Sequence, residues 1–349
     1  MRHLWSFLVL CAFALSAAPA AASNARFVAL GDVGTGSEVA KRVAGAAREA
    51  CASRGGCDFG VLLGDNVYDR GIASAEDPLF EERLERVLER VGVPFYAVLG
   101  NHDYGAPKEL PFLGGLGLDA RRAAAQVERG RGEGVFRMPD VFWRIERGPV
   151  EIVGIDTTPL YWEDRPGIPD ALGLGERRAS MTRALKVWDE STTRPWRIAL
   201  GHHPFLSNGP HGDAGAHEGV LGLFSSGHKL ARFLDERVLG RFDAYLAGHD
   251  HSLQDLGDVQ GTELLISGAG ASATPLASRH RARWQAAEPG FLLVEADEEM
   301  LAFRFVVVDA DGGWRVAHER VVSRPHAIED RRTLRRASSD ERPAPHRGP

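Results

Sequence analysis

Cysteine is scarce in this sequence, three in 349 residues. Cys11 lies in an N-terminal apolar run, so Cys51 and Cys57 are the pair left for the rest of the chain. Their spacing is not C-x-x-C and no other cysteine is at hand, which argues against a redox pair or a thiolate metal site. Positive charge is not in excess: 42 Lys and Arg face 48 Asp and Glu, a net charge of −6. The field of the whole molecule therefore gives no reason to expect a nucleic-acid partner. A phosphate-bearing ligand would have to be drawn by local positive charge, such as metal ions. After the first 22 residues no stretch is long and apolar enough for a stable membrane span. No internal repeat is visible beyond strand-loop units.

The two ends differ in composition from the middle. Arg2 and His3 precede an apolar run from Leu4 to about Leu15, followed by small residues ending in Ala20-Ala21-Ala22. This is the layout of a secretory signal peptide, residues 1–22. The run is short for a membrane anchor, and bulky Leu10 before Cys11 argues against lipidation there. The expected location is periplasmic or secreted. In an exported chain the even pair Cys51 and Cys57 suggests one disulfide, with Gly55 and Gly56 in the small loop it would close. From Arg324 the chain is rich in Arg, Pro and Ser and loses periodicity, so 324–349 reads as a disordered basic tail. Residues 23–323 are left as one domain, an ordinary globular length.

Within that domain, five short apolar runs each end in glycine and then a polar residue. They are Phe27–Leu30 before Gly31-Asp32, Phe59–Leu63 before Gly64-Asp65-Asn66, and Phe95–Leu99 before Gly100-Asn101-His102-Asp103. Trp196–Leu200 precedes Gly201-His202-His203, and Ala244–Ala247 precedes Gly248-His249-Asp250-His251. Such runs read as buried strands. Helical patterns alternate with them over 38–52, 78–91, 175–190 and 228–239. Strand and helix in alternation imply a largely parallel sheet whose functional rim lies at the carboxyl ends of the strands. Glycine there permits a sharp turn and close approach of the backbone to an ion. One strand-Gly-Asp means little; five, each presenting a metal-binding side chain, form an oxygen-and-nitrogen ligand set for hard or borderline metals. The runs at 264–267, 291–295, 301–308 and 314–321 read as antiparallel strands completing a second sheet. The loops 104–134 and 158–173 are expected to shape the pocket.

In order and spacing, the five motifs resemble the calcineurin-like metallophosphoesterase superfamily from about residue 26 to 255. The resemblance implies an α/β fold, a four-layer α-β-β-α sandwich of two packed mixed sheets flanked by helices. Many members carry Asp-x-His in the first motif; here Asp32-Val33-Gly34 lacks that histidine. The second motif reads Gly64-Asp65-Asn66-Val67-Tyr68, which resembles the purple acid phosphatase branch, where a tyrosine supplies the missing ligand. Met138-Pro139-Asp140 also resembles a segment of that branch. Tyr68 taken alone also reads as a packed loop aromatic; paired with the missing histidine, it reads as a ligand.

The resemblance implies a first metal held by Asp32, Tyr68 and His251, a second held by Asn101, His202 and His249, and Asp65 bridging both. A hard phenolate favours Fe(III) in the first position; Fe, Zn or Mn suits the divalent second. The implied activity is hydrolysis of small phosphate monoesters by a metal-bound hydroxide. His102 and His211 are candidates to protonate the leaving alcohol. His203 and Asp250 either support the site or the substrate, or are merely structural. His280 lies in the basic stretch Arg279–Arg283, which reads as a solvated face. The alternatives are a phosphodiesterase or nucleotidase of the same superfamily and a non-catalytic metal-binding protein.

Overall fold

The computed structural model describes residues 24–105, 118–163, 174–214 and 227–324. The expected signal peptide, nearly all of the expected tail, and the parts of the pocket-shaping loops at 106–117 and 164–173 lie outside the described residues. The first strands are β1 (Ala25–Leu30), β2 (Phe59–Leu63), β3 (Phe95–Val98) and β4 (Phe136–Arg137). Then come β5 (Trp143–Arg147), β6 (Val150–Gly154), β7 (Trp196–Leu200) and β8 (Ala244–Ala247). The chain ends with β9 (Leu253–Val259), β10 (Thr262–Ser267), β11 (Trp284–Ala286), β12 (Gly290–Ala296), β13 (Met300–Val308) and β14 (Trp314–Ser323). They form two seven-stranded sheets, in the orders β14-β13-β12-β1-β2-β3-β4 and β11-β9-β10-β8-β7-β6-β5. Both sheets are mixed: β1 runs parallel to β2 but antiparallel to β12, and β7 runs parallel to β6 and β8 while β5 is antiparallel to β6.

Two expectations need correction. The five motif-bearing strands do not share one sheet: β1, β2 and β3 belong to the first, β7 and β8 to the second. The C-terminal strands are also divided, with β12, β13 and β14 extending the first sheet and β10 lying parallel to β8 in the second. Short apolar strands look alike in sequence whichever sheet receives them, because both sheets are covered on both faces.

Strand alternation shows those two coverings. Phe27 and Ala29 of β1, Phe59 and Val61 of β2, Ile198 and Leu200 of β7 and Leu246 of β8 meet in the core between the sheets. Val28, Leu30 and Leu62 point the other way, towards helices on the first sheet. These are α1 (Glu38–Ala52), the run α2 (Pro78–Phe80) to α3 (Arg86–Val91) joined by a π-helical turn, and α4 (Ala120–Gly130). Ala199, Tyr245 and Ala247 face α5 (Thr157–Trp162), α6 (Leu174–Ser191) and α7 (His228–Arg237). The result is four layers, α-β-β-α. Helices α4 and α5 occupy parts of what the sequence suggested were loops.

Helix α1 shows how local sequence sets an element. Ser37 caps it, its hydroxyl accepting the Ala40 N–H at 3.2 Å, and Ala40, Val43, Ala44, Ala47 and Ala50 bury one face at helical spacing. Cys51 and Cys57 form a disulfide with their Cα atoms 5.1 Å apart, tying this helix to the start of β2. No described helix is long and apolar enough to cross a membrane.

Candidate metal centre

The ends of β1, β2, β3, β7 and β8 meet where the two sheets adjoin. Backbone bonds stitch them together: Asp32 N–H to the Gly64 carbonyl at 3.1 Å, Gly201 N–H to Leu246 at 3.0 Å and Gly248 N–H to His202 at 3.0 Å. Asp32, Asp65 and His249 each sit at positive φ, 58°, 53° and 70°. That conformation costs a non-glycine residue roughly 1–2 kcal/mol, and here it turns each side chain inward. Glycines of the neighbouring motifs make room. A Cβ on Gly100 would stand 2.2 Å from Asp65 Oδ1, and one on Gly248 would stand 2.7 Å from Asp32 Oδ2.

Two groups of donor atoms result. In the first, the Tyr68 hydroxyl donates towards Asp32 Oδ1 at 3.0 Å and Asp65 Oδ2 at 2.9 Å, and stands 3.1 Å from His251 Nε2. His251 Nε2 is 3.4 Å from Asp32 Oδ1. In the second, His202 Nε2 lies 2.9 Å from Asn101 Oδ1, 3.1 Å from His249 Nδ1 and 3.5 Å from Asp65 Oδ1. Asp65 thus presents one oxygen to each group. Asp32, Asp65 and His202 lie close enough to hold one cation, as do His202, His203 and His249.

The donor set fits a pair of cations. Asp32 and Asp65 are 1% and 2% exposed, and burying two carboxylates side by side is costly without positive charge. Burial raises the Asp65 carboxyl, but the imidazoles of His202, His102 and His249 outweigh it and hold it at about 2. Burial first, then the Asp32 and Asp65 charges, push the Tyr68 phenol well above its ordinary range. A cation among these oxygens reverses that balance and favours phenolate. For His251, burial acts downward, yet the Asp32 and Asp65 carboxylates raise it overall.

The other predicted residues surround this centre. His102 packs its ring 4.5 Å from that of Tyr68, and its Nδ1 lies 2.6 Å from the Asp69 carbonyl. Its Nε2 then faces inward, 3.9 Å from Asp65 Oδ2. The His211 ring packs against that of His249, tilted by 33° with the centroids 4.4 Å apart. His203 stands between Tyr161 and His249, at 4.3 and 4.5 Å, with Nδ1 3.0 Å from Thr157 Oγ1. Asp250 is fully buried; it accepts the His211 N–H at 2.9 Å and the Ser207 hydroxyl. Its carboxylate therefore fixes the loop that carries His211.

Sequence reasoning missed three residues. Asp103 is buried and accepts N–H bonds from Asn66, Val67 and Gly100 and from the Gln126 amide, at 2.7–3.1 Å. It locks the second and third motif loops together, and burial with the nearby Asp65 charge raises it to about 6. Thr157 Oγ1 accepts the His202 and His203 N–H groups at 3.1 and 3.2 Å. Ser272 Oγ lies 2.7 Å from His251 Nδ1. Only Asp103 had a signal, its place in the third motif. His280, expected on a solvated face, is instead half-buried and bonded to Asp213.

With this geometry in view, comparison with known proteins gives a consistent picture. The family model for calcineurin-like phosphoesterase matches residues 25–253. The chain is 31% identical over 232 residues to purple acid phosphatase 17 of Arabidopsis thaliana, covering 62% of this chain and 59% of that protein. It is 29% identical over 302 residues to human tartrate-resistant acid phosphatase type 5, covering 80% and 83%. The chain spans less than two thirds of several of the plant relatives, 55% of Arabidopsis purple acid phosphatase 3 for example. In structure it is similar to GAP50, described as the anchor in the inner membrane complex of Plasmodium, with a TM-score of 0.65, 18% identity and coverage of 94% and 99%. A second solved structure, of PhoD, gives 0.55 at 11% identity, covering 87% and 70%. At these identities the structural likeness concerns the fold alone. The matched span contains every member of both donor groups, and the protein belongs to the calcineurin-like phosphoesterase family.

Proposed function

We propose that the protein is an exported acid phosphatase of the purple acid phosphatase type, hydrolysing small phosphate monoesters with a ferric ion and a divalent ion. The observation that carries this is the Tyr68 hydroxyl, which meets Asp32, Asp65 and His251 together where the first motif offers no histidine. Asp32, Tyr68 and His251 would hold the ferric ion, Asn101, His202 and His249 the divalent one, with Asp65 shared. When bound, such a pair supplies Lewis acidity that polarises phosphoryl oxygens and makes a water acidic enough to attack.

The chain's own residues do the rest. With Nδ1 held by the Asp69 carbonyl, His102 has Nε2 to carry a proton to the leaving oxygen. His211, fixed by its N–H bond to Asp250, would face the substrate beside His249. Imidazole suits both tasks because its ring nitrogens can both accept and donate a proton. The disulfide and the signal-like residues 1–22 support export.

The test is turnover of an aryl phosphate monoester and its bis-aryl diester by protein loaded with iron and with zinc or manganese. Faster monoester hydrolysis at acid pH is expected. A diester preference would favour the phosphodiesterase reading, and absence of turnover on both would sink the catalytic one. N-terminal sequencing of the expressed full chain is expected to find cleavage near Ala22.

A further inference from the structure

The loop from Ser207 to Asp213, which carries His211, is held from two sides. On the buried side Asp250 accepts the Ser207 hydroxyl and the His211 N–H, and Gln254 Oε1 accepts the Asn208 N–H at 2.9 Å. On the outer side the loop is gripped by residues 277–285, distant in sequence. Ala277 N–H donates to the Asn208 carbonyl at 2.7 Å. His280 N–H donates to Asn208 Oδ1 at 2.7 Å, and the Asn208 amide donates to the His280 carbonyl at 3.0 Å and to Gln285 Oε1 at 2.7 Å. Arg279 donates to the Gly209 carbonyl.

The centre of this grip is a histidine–carboxylate contact. His280 Nε2 lies 2.8 and 2.9 Å from the two oxygens of Asp213, and Asp213 Oδ1 also accepts the Ser207 N–H at 2.8 Å. Charge-assisted bonds of this kind are stronger than neutral ones and fix geometry. The two residues close both ends of the loop: Asp213 ties its far end back to its start, and His280 ties it to the neighbouring segment. A displacement of about 1 Å in such a support can cost on the order of 100-fold in rate.

We infer that His280 and Asp213 are a positioning pair that sets the His211 ring against the metal centre; this rests on the reading of His211 as substrate-facing. The pair does not touch the donor groups, so it acts through the loop. The test compares H280A, H280Q, H211A and the H211A/H280A double variant as full-length, metal-loaded protein. Hydrogen exchange over residues 205–214, metal content, kcat and KM are measured for each.

In H280A, exchange in 205–214 is expected to quicken and kcat to fall about ten-fold at unchanged metal content. H280Q, whose amide can still donate to Asp213, should recover most of that loss. In the H211A background the H280A change should add nothing further. Unchanged exchange in H280A, or losses that multiply in the double variant, would overturn the inference. If H211A alone turns over normally, the substrate-facing role of His211 fails, and with it the catalytic half of the inference. The exchange data then decide the clamp by themselves.

Discussion

The Tyr68 hydroxyl lies 3.1 Å from His251 Nε2, although 183 residues separate the two in sequence. The contact requires the histidine ring to present Nε2 inward, and the opposite nitrogen shows how that is arranged: His251 Nδ1 is 2.7 Å from Ser272 Oγ. Residues that orient a metal-bound histidine typically contribute 10- to 100-fold in affinity or activity. Ser272→Ala is therefore expected to weaken iron retention about ten-fold and leave the divalent site filled. Metal analysis after graded chelation checks this; equal iron loss in wild type and variant would remove Ser272 from the account.

Asp103 offers a second prediction, about stability. Its carboxylate gathers N–H groups from two loops and helix α4, all inside the protein. Asp103→Ala would leave those donors buried and unpaired, each costing about 1–3 kcal/mol. A loss of about 3 kcal/mol or more in unfolding free energy is expected from denaturant titration. A change below about 1 kcal/mol would mean water replaces the carboxylate.

Much of the centre was legible in the sequence for a physical reason. Glycine at a strand end and a side chain able to hold a metal after it both follow from the close approach of the five loops, so the pattern survives in one dimension. The residues holding the donors in place are not readable that way. Asp103 meets Asn66 and Gln126 across 37 and 23 residues, and nothing local announces the meeting. Strand β6 hid because it buries a charge: Glu151 is fully buried between Arg197 at 2.8 Å and Arg144 at 2.9 Å, so an acidic residue interrupts the apolar run. His280 hid in the opposite sense, since its arginine neighbours suggest a surface that contacts with Asn208 and Asp213, 72 and 67 residues away, contradict. The division of similar strands between two sheets left no mark in the sequence at all.

A third prediction concerns pH. Asp156 is buried, which pushes its carboxyl up to about 6 despite the opposing Arg177 charge and bonds from Tyr104 and Arg177 at 2.5 and 3.0 Å. The folded chain thus binds this proton more tightly than the unfolded chain, whose carboxyl titrates near 3.8. The stability it contributes is complete below that value and is lost as pH rises through about 6. Asp103, also raised to about 6, acts in the same sense. Asp65, held at about 2, acts oppositely and below the unfolded value. Asp156→Asn is expected to roughly halve the fall in melting temperature between about pH 4 and 6. An unchanged slope would show that Asp156 does not titrate there.

The proposed ferric site depends on Tyr68 as an iron ligand. The most direct measurement is the visible spectrum with metal analysis of the iron-loaded wild type and Tyr68→Phe. A tyrosinate-to-iron absorption band is predicted in the wild type and its loss in the variant, with iron content reduced there as well. A band that survives the substitution, or iron-loaded wild type with no such band, would contradict it.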